Sequence, residues 1–184
     1  MKLFYTAITM ACLSVPAWAA PLELTPADPQ PTGLSDGLAV RYAYPPDVKT
    51  LAQAEKYLSD AQPGEPLTGL DYRDTADGDM TLTSTSAHHV VAGISGYVRF
   101  DESGTYVIDF LSNDGLKASI GGQEVVFFDG RHPCEESDPV EVTVPQAGWY
   151  ALEAVYFQRT GSACLHMRAG QDAPEWMDNA AFGH

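Results

Sequence analysis

The amino-acid sequence predicts an all-β protein: an antiparallel β-sandwich with one short helix near the N-terminus. Three observations predict it. Apolar and polar side chains alternate with a period of two through most of the chain beyond residue 96. Turn signals built from Gly, Asn, Asp and Ser interrupt that pattern at short intervals. Only one stretch carries a helical period with start and stop signals of its own. Seven or eight short strands punctuated in this way define a sandwich or barrel.

Each element follows in order. Residues 20–37 are rich in Pro, Thr, Asp and Gly, and Pro26, Pro29 and Pro31 disfavour a helix, so they are predicted as an extended lead-in. Residues 38–184 are predicted as a single domain. Leu38 to Tyr44 alternates and is a first strand. Thr50 and Gln53 form a capping box, Leu51, Ala54 and Leu58 share one face, and Pro63-Gly64 ends that helix. Residues 69–92 are polar and Asp-rich. Strands are then predicted at 97–100, 106–111, 117–120, 124–128, 140–144, 149–157 and 164–168. The turns Glu102-Ser103-Gly104, Asn113-Asp114-Gly115, Gly121-Gly122, Gln146-Ala147-Gly148 and Gly161-Ser162 separate most of them.

Charge excludes whole classes of partner. The 25 acidic and 10 basic side chains give a formal net charge of -15. A phosphate backbone is recruited by clustered Lys and Arg, so nucleic acid is excluded, and so is docking on an anionic membrane surface. Solubility, cations or a neutral ligand such as a sugar fit an acidic surface. Residues 1–19 read as a signal peptide: Lys2, a short apolar run from Leu3 to Val15, Pro16, and the Ala17-Trp18-Ala19 cleavage signal. The run is too short to span a membrane, which takes about 20 apolar residues, so no membrane insertion is expected. A secreted or periplasmic protein beginning at Ala20 is expected. Loss of Cys12 with the leader leaves Cys134 and Cys164, and in an oxidising compartment a disulfide is the default. The competing reading, a nucleophilic thiol paired with His132 or His166, is disfavoured in that compartment.

The ordered set of motifs from Gly96 to Arg168 resembles a known family. Gly96-Tyr97-Val98-Arg99-Phe100, Ser103-Gly104-Thr105-Tyr106 and Ser112-Asn113-Asp114-Gly115-Leu116 are similar to the core of the protective-antigen lectin-like (PA-14 type) domain. Gly121-Gly122-Gln123 sits at that family's "Ile-Asp-Gly" hairpin. Ala147-Gly148-Trp149-Tyr150 and Val155-Tyr156-Phe157-Gln158 resemble its "Ala-Gly-Trp-Tyr…Glu-Tyr-Tyr" segment. Gly37-Leu38-Ala39-Val40-Arg41-Tyr42 is similar to its opening strand. The resemblance implies a lectin-like β-sandwich of the kind found in glycosidases, adhesins and secreted toxins. It also implies a binding or accessory module for carbohydrate or a cell-surface component. Fungal adhesins similar to this family hold calcium and sugar with two adjacent aspartates, and this chain has no Asp-Asp pair. No cofactor is therefore expected, and calcium enters only through the resemblance.

Candidate sites are weighed residue by residue. Asn113 and Asp114 offer oxygens suited to hydroxyls or Ca²⁺, or they simply make a hairpin turn. Asp129, Arg131 and His132 lie in a loop next to Cys134 and offer a carboxylate, a guanidinium and an imidazole; a surface turn with a local ion pair is the plainer reading. Asp74, Asp77 and Asp79, with Asp114, are the weak metal candidates. An EF-type loop centred on Gly78 fails, because its first and third positions are Arg73 and Thr75. His88 and His89 would point to opposite faces of a strand and cannot easily share a metal. Asp109 and Glu153 interrupt apolar strands and are expected to face solvent.

A non-enzymatic binding module for carbohydrate or envelope glycan is the leading functional reading. A structural protein that binds a protein partner through the sandwich is the alternative, and a small hydrolase comes third. The ligand is expected at the sandwich end built by the Ser112–Gly115 turn and the Phe128–Cys134 loop. Asp114 is expected to contact it directly, so that Asp114→Ala would spare the melting temperature.

Overall fold

In the computed structural model, which describes residues 20–184, alternation along each long strand gives the chain two sheets with one apolar face each. The signal-peptide reading of residues 1–19, and its cleavage after Ala19, lie outside the described residues. The elements are β1 (Leu22–Glu23), β2 (Ala39–Ala43), α1 (Leu51–Tyr57) continued by a 3-10 turn (Leu58–Asp60), β3 (Gln62–Pro63) and β4 (Asp71–Tyr72). The long strands follow: β5 (Val90–Phe100), β6 (Gly104–Asn113), β7 (Leu116–Ile120) and β8 (Gln123–Phe128). Then come β9 (Glu135–Glu136), β10 (Val140–Val144), β11 (Gly148–Gln158), β12 (Cys164–Gly170), β13 (Glu175–Trp176) and β14 (Phe182–Gly183).

The first sheet runs β1-β10-β6-β12-β13, with β9 added to β6 and β4 to β12. The second runs β3-β2-β5-β11-β7-β8, with β14 added to β5. Between them Ile108, Phe110, Leu165 and Met167 from the first sheet meet Ile94, Val98, Tyr150, Leu152 and Tyr156 from the second. All eight predicted strands form, six of them longer than predicted, and six two-residue strands that were not predicted join them: β1, β3, β4, β9, β13 and β14. One pairing is not antiparallel. β1, drawn from the Pro-rich lead-in, runs parallel to β10, and Leu24 beside it is buried in the core. Extended backbone suffices to join a sheet edge, whatever its sequence period.

Helix α1 lies on the outer face of the second sheet. Thr50 Oγ1 accepts the Gln53 N–H at 3.3 Å, and Gln53 Oε1 accepts the Lys49 N–H at 2.8 Å, so the predicted capping box forms one residue early on its return side. Leu51 and Ala54 pack with Ala43, Val48, Val91 and Phe157 in a second, smaller apolar cluster. A seven-residue helix does not persist alone, so this packing and its caps hold it in place.

The expectation that Asp109 faces solvent is corrected. It does point away from the core, but it is only 5% exposed and takes both N–H groups of the Arg168 fork, each at 2.7 Å. Arg168 also reaches Glu136 at 3.0 Å and lies over the Trp176 ring. The short strands β9 and β13 bring those two residues over this outer face. Glu153 is exposed as expected. His88 and His89 precede β5 rather than lying on a strand; His88 meets Asp77 at 2.7 Å, and His89 has φ +54°.

Cys134 and Cys164 form the predicted disulfide, which removes the nucleophilic-thiol reading. It joins residues 30 apart and is worth roughly 3–4 kcal/mol in the chain-entropy account. Protein beginning at Ala20 should show no reactive thiol when denatured, as thiol titration would read directly. Arg168→Ala strands the Asp109 carboxylate in a covered site and should cost about 3 kcal/mol in chemical denaturation. Replacing both partners by Leu should recover most of that loss.

Candidate functional site

The end of the sandwich singled out in the sequence is built where β6 leaves the first sheet and β7 enters the second. The Ser112–Gly115 segment is therefore a crossing between sheets and not a hairpin. Three hydrogen bonds to Tyr156 and Phe157 fix it. The buried Tyr156 hydroxyl donates to the Asn113 carbonyl. The Asp114 N–H donates to the Phe157 carbonyl at 3.1 Å, and the Phe157 N–H donates to the Gly115 carbonyl at 3.0 Å. Gly115 is required by close approach: a Cβ there would collide with the Phe157 ring. The Asn113–Asp114 peptide bond is cis.

Asp114 is 4% exposed, and both its carboxylate oxygens are engaged. Oδ1 accepts the His132 N–H at 3.2 Å and Oδ2 accepts the Arg159 N–H at 2.8 Å. Burial pushes its pKa up, and those two N–H donors, with the charges of His132 and Arg131, draw it back. Asn113 is likewise buried, and its amide donates to Ser162 Oγ at 3.3 Å.

The 128–134 loop is tied down at several points. The Phe128 and His132 rings stack with centroids 3.8 Å apart, and His132 Nδ1 lies 3.0 Å from the Pro133 carbonyl. His132 Nε2 is buried without a hydrogen-bond partner. Asp129 Oδ1 accepts N–H groups from Leu51 and Gly130, both at 2.7 Å, so it caps α1 from outside that helix. The disulfide fastens the end of the loop to β12. Arg131 is exposed and has no ion-pair partner among the described residues.

The structure thus gathers all five predicted residues at one end but gives them different roles. Asn113, Asp114 and Asp129 hold the scaffold, His132 bridges, and Arg131 is the free group. Each Asp114 oxygen already accepts one backbone N–H and the residue is 4% exposed, so the carboxylate holds the crossing and the loop together. Tyr156 within β11, and Arg159 and Ser162 just after it, complete the site; the sequence reading did not single them out as site residues, and their partners lie 43, 45 and 49 positions away. Arg159 also holds Asp47 at 2.7 Å; Lys49 and Arg159 together bring the Asp47 pKa down to about 2.

The acidic loop does not join this site. Asp77 pairs with His88, and Asp79 accepts the Ala76 N–H at 3.0 Å. Asp71 lies beside Arg73 and His166, and no contact holds Asp74 in a shared cage with them. Among the described residues no three His, Cys, Asp or Glu side chains converge as a metal site. No described helix is long and apolar enough to cross a membrane.

Two sheets face to face, with a crossing and a pinned loop at one end, define a sandwich module whose loops are presented by a rigid frame. The chain belongs to the PA14 domain family, whose model matches residues 55–177. It is similar in fold to the PA14 domain of MpAFP antifreeze protein (16% identity, TM-score 0.68, covering 83% of this chain and 92% of that one). It is also similar to a PA14 sugar-binding domain from an RTX adhesin (18%, 0.62, 81% and 98%). A third likeness is to the A domain of Epithelial Adhesin 9 from Candida glabrata in complex with Galβ1-3GlcNAc (12%, 0.64, 89% and 95%). At these identities the likenesses show the fold alone. No curated protein matches the chain. The disulfide and the fold fit an extracellular protein.

Asp114→Ala leaves two backbone N–H groups without an acceptor, so about 1–3 kcal/mol of stability should be lost. Arg131→Ala should stay within about 0.5 kcal/mol of the parent. A carboxyl whose pKa is raised in the fold binds more protons folded than unfolded. Its contribution is present below its ordinary value of 3.8 and is lost as pH rises through the raised one. The stability of the parent relative to Asp114→Asn should therefore fall with rising pH across that window, as denaturant titrations at several pH values would read.

Proposed function

We propose that this chain is a non-enzymatic carbohydrate-binding module, exported from the cell with removal of residues 1–19. The observation that carries this reading is the pinned 129–133 loop: a rigid frame presents the one free guanidinium of the site, Arg131, to solvent. Membership of the PA14 family supports it, as do neighbours described as a sugar-binding domain and as a complex with Galβ1-3GlcNAc. A net charge of -15 favours neutral glycans over polyanions.

Catalysis has little support. Hydrolysis of a glycosidic bond needs two carboxylates about 5–9 Å apart across the bond. Asp109 is locked by Arg168 on the outside of the first sheet, and Glu153 stands on the outside of the second. The donor set at the β6–β7 crossing does not suit calcium either. Asn113 precedes Asp114, so no adjacent pair of aspartates is present, and each Asp114 oxygen already accepts one backbone N–H. Glycan recognition here is accordingly read as independent of calcium.

A glycan-array screen with and without chelator tests the proposal. Binding of neutral oligosaccharides should persist in chelator and drop tenfold or more in Arg131→Ala at unchanged melting temperature. An array with no bound glycan would reject the carbohydrate reading, and loss of binding in chelator would reject its metal independence.

A further inference from the structure

Helix α1 covers only part of the outer face of the second sheet, and the uncovered part is a groove of about 460 Å³. That volume lies within the usual range for small-molecule sites, ~300–1,000 Å³. Strand register lays out its floor in two adjacent rows. The first reads Arg41, Gly93, Val155 and Lys117 across β2, β5, β11 and β7. The second reads Ser95, Glu153, Ser119 and Glu124 across β5, β11, β7 and β8.

The local structure keeps this surface open and polar. Gly93 has no side chain, and a Cβ there would come within 3.1 Å of Leu58, which closes the groove at the helix end. The β7–β8 register slips between Ala118 and Ser119, so Val125 and Val126 are both buried and Glu124 pairs with Ser119. Lys117 is held by Glu55 of α1 at 2.8 Å, which fixes the wall. Arg41, Glu124 and Glu153 are exposed and have no ion-pair partner among the described residues. One register place beyond Lys117, Phe127 is 58% exposed.

We infer that this groove is a second saccharide site, separate from the loop end; the inference rests on the carbohydrate reading above. The chemistry matches a neutral pyranose. Glu153 and Glu124 accept hydrogen bonds from hydroxyls, Arg41 donates to ring and hydroxyl oxygens, and Ser95 and Ser119 do either. Gly93, Val155 and Leu58 give the apolar C–H face of a sugar ring a small nonpolar bed. With Lys117 neutralised by Glu55, the free groups are one cation and two carboxylates, which repel anionic sugars.

Amide chemical-shift titration of the ¹⁵N-labelled protein with lactose, Galβ1-3GlcNAc and cellobiose, each to millimolar concentration, tests it, with free lysine as a zwitterionic control. Shifts at Gly93, Ser95, Ser119 and Glu153 with a saccharide are expected. Glu153→Gln and Arg41→Ala, both on the exposed face, should raise the Kd at those amides tenfold or more with an unchanged melting temperature. Arg131→Ala should leave them alone. Shifts confined to residues 129–132 would overturn the groove site and leave the loop reading standing. No shift at the groove with any of the three saccharides, shifts there with lysine only, or parental affinity in both groove variants would each overturn it as well.

Discussion

The buried carboxylate of Asp114 is the constraint on which the functional end depends. It joins three parts of the chain through one side chain: the crossing from β6 to β7, the loop after β8, and the residue that follows β11. A buried carboxylate is costly unless it is hydrogen-bonded, and one backbone N–H serves each of its oxygens. Those same N–H groups would otherwise be orphaned at the ends of strands and loops. The crossing therefore fixes the loop, and the loop and disulfide together fix where Arg131 can stand.

The Asp109–Arg168 pair plays a comparable part on the outside of the first sheet. Adjacent strands place the two residues directly opposite each other, and Glu136 and Trp176 cover them. Its bidentate geometry satisfies both groups, which is the condition under which a covered ion pair is tolerated. The two-residue strands β9 and β13 are too short to add much hydrogen bonding, but they carry the covering side chains.

Long strands were legible where burial on one face imposes a period of two, as in β6, β10, β11 and the 97–100 end of β5; its 90–92 start is buried at three successive positions and has no such period. Short edge strands were not, because two residues such as Leu22–Glu23 or Asp71–Tyr72 have no period to read. Asp109 shows the limit of alternation: it tells which face a residue is on, and nothing of what will lie over that face. At the loop end the sequence pointed to residues that do lie together, though what brings them there is different. Asn113 and Asp114 form the crossing from β6 to β7 rather than the hairpin turn their residue types suggest, and the donors to Asp114 come from positions 18 and 45 residues away. No local pattern encodes such a meeting. The groove was silent for the opposite cause, since Gly93, Ser95 and Ser119 matter through their smallness.

One short helix links the two proposed binding surfaces. Asp129, in the pinned loop, caps the first turn of α1, while Glu55 in its middle holds Lys117 and Leu58 just beyond it closes the groove. Seven residues cannot sustain a helix unaided, so its position is set by these contacts and by the Leu51–Ala54 face. The loop that presents Arg131 and the wall that shapes the sheet-face groove consequently share a single support. A shift of the helix along the sheet would disturb the Asp129 cap and the Lys117 pair at once. The domain thus gains two pre-organised surfaces from one small packing cluster, and rigidity at either surface limits the ordering cost of ligand binding.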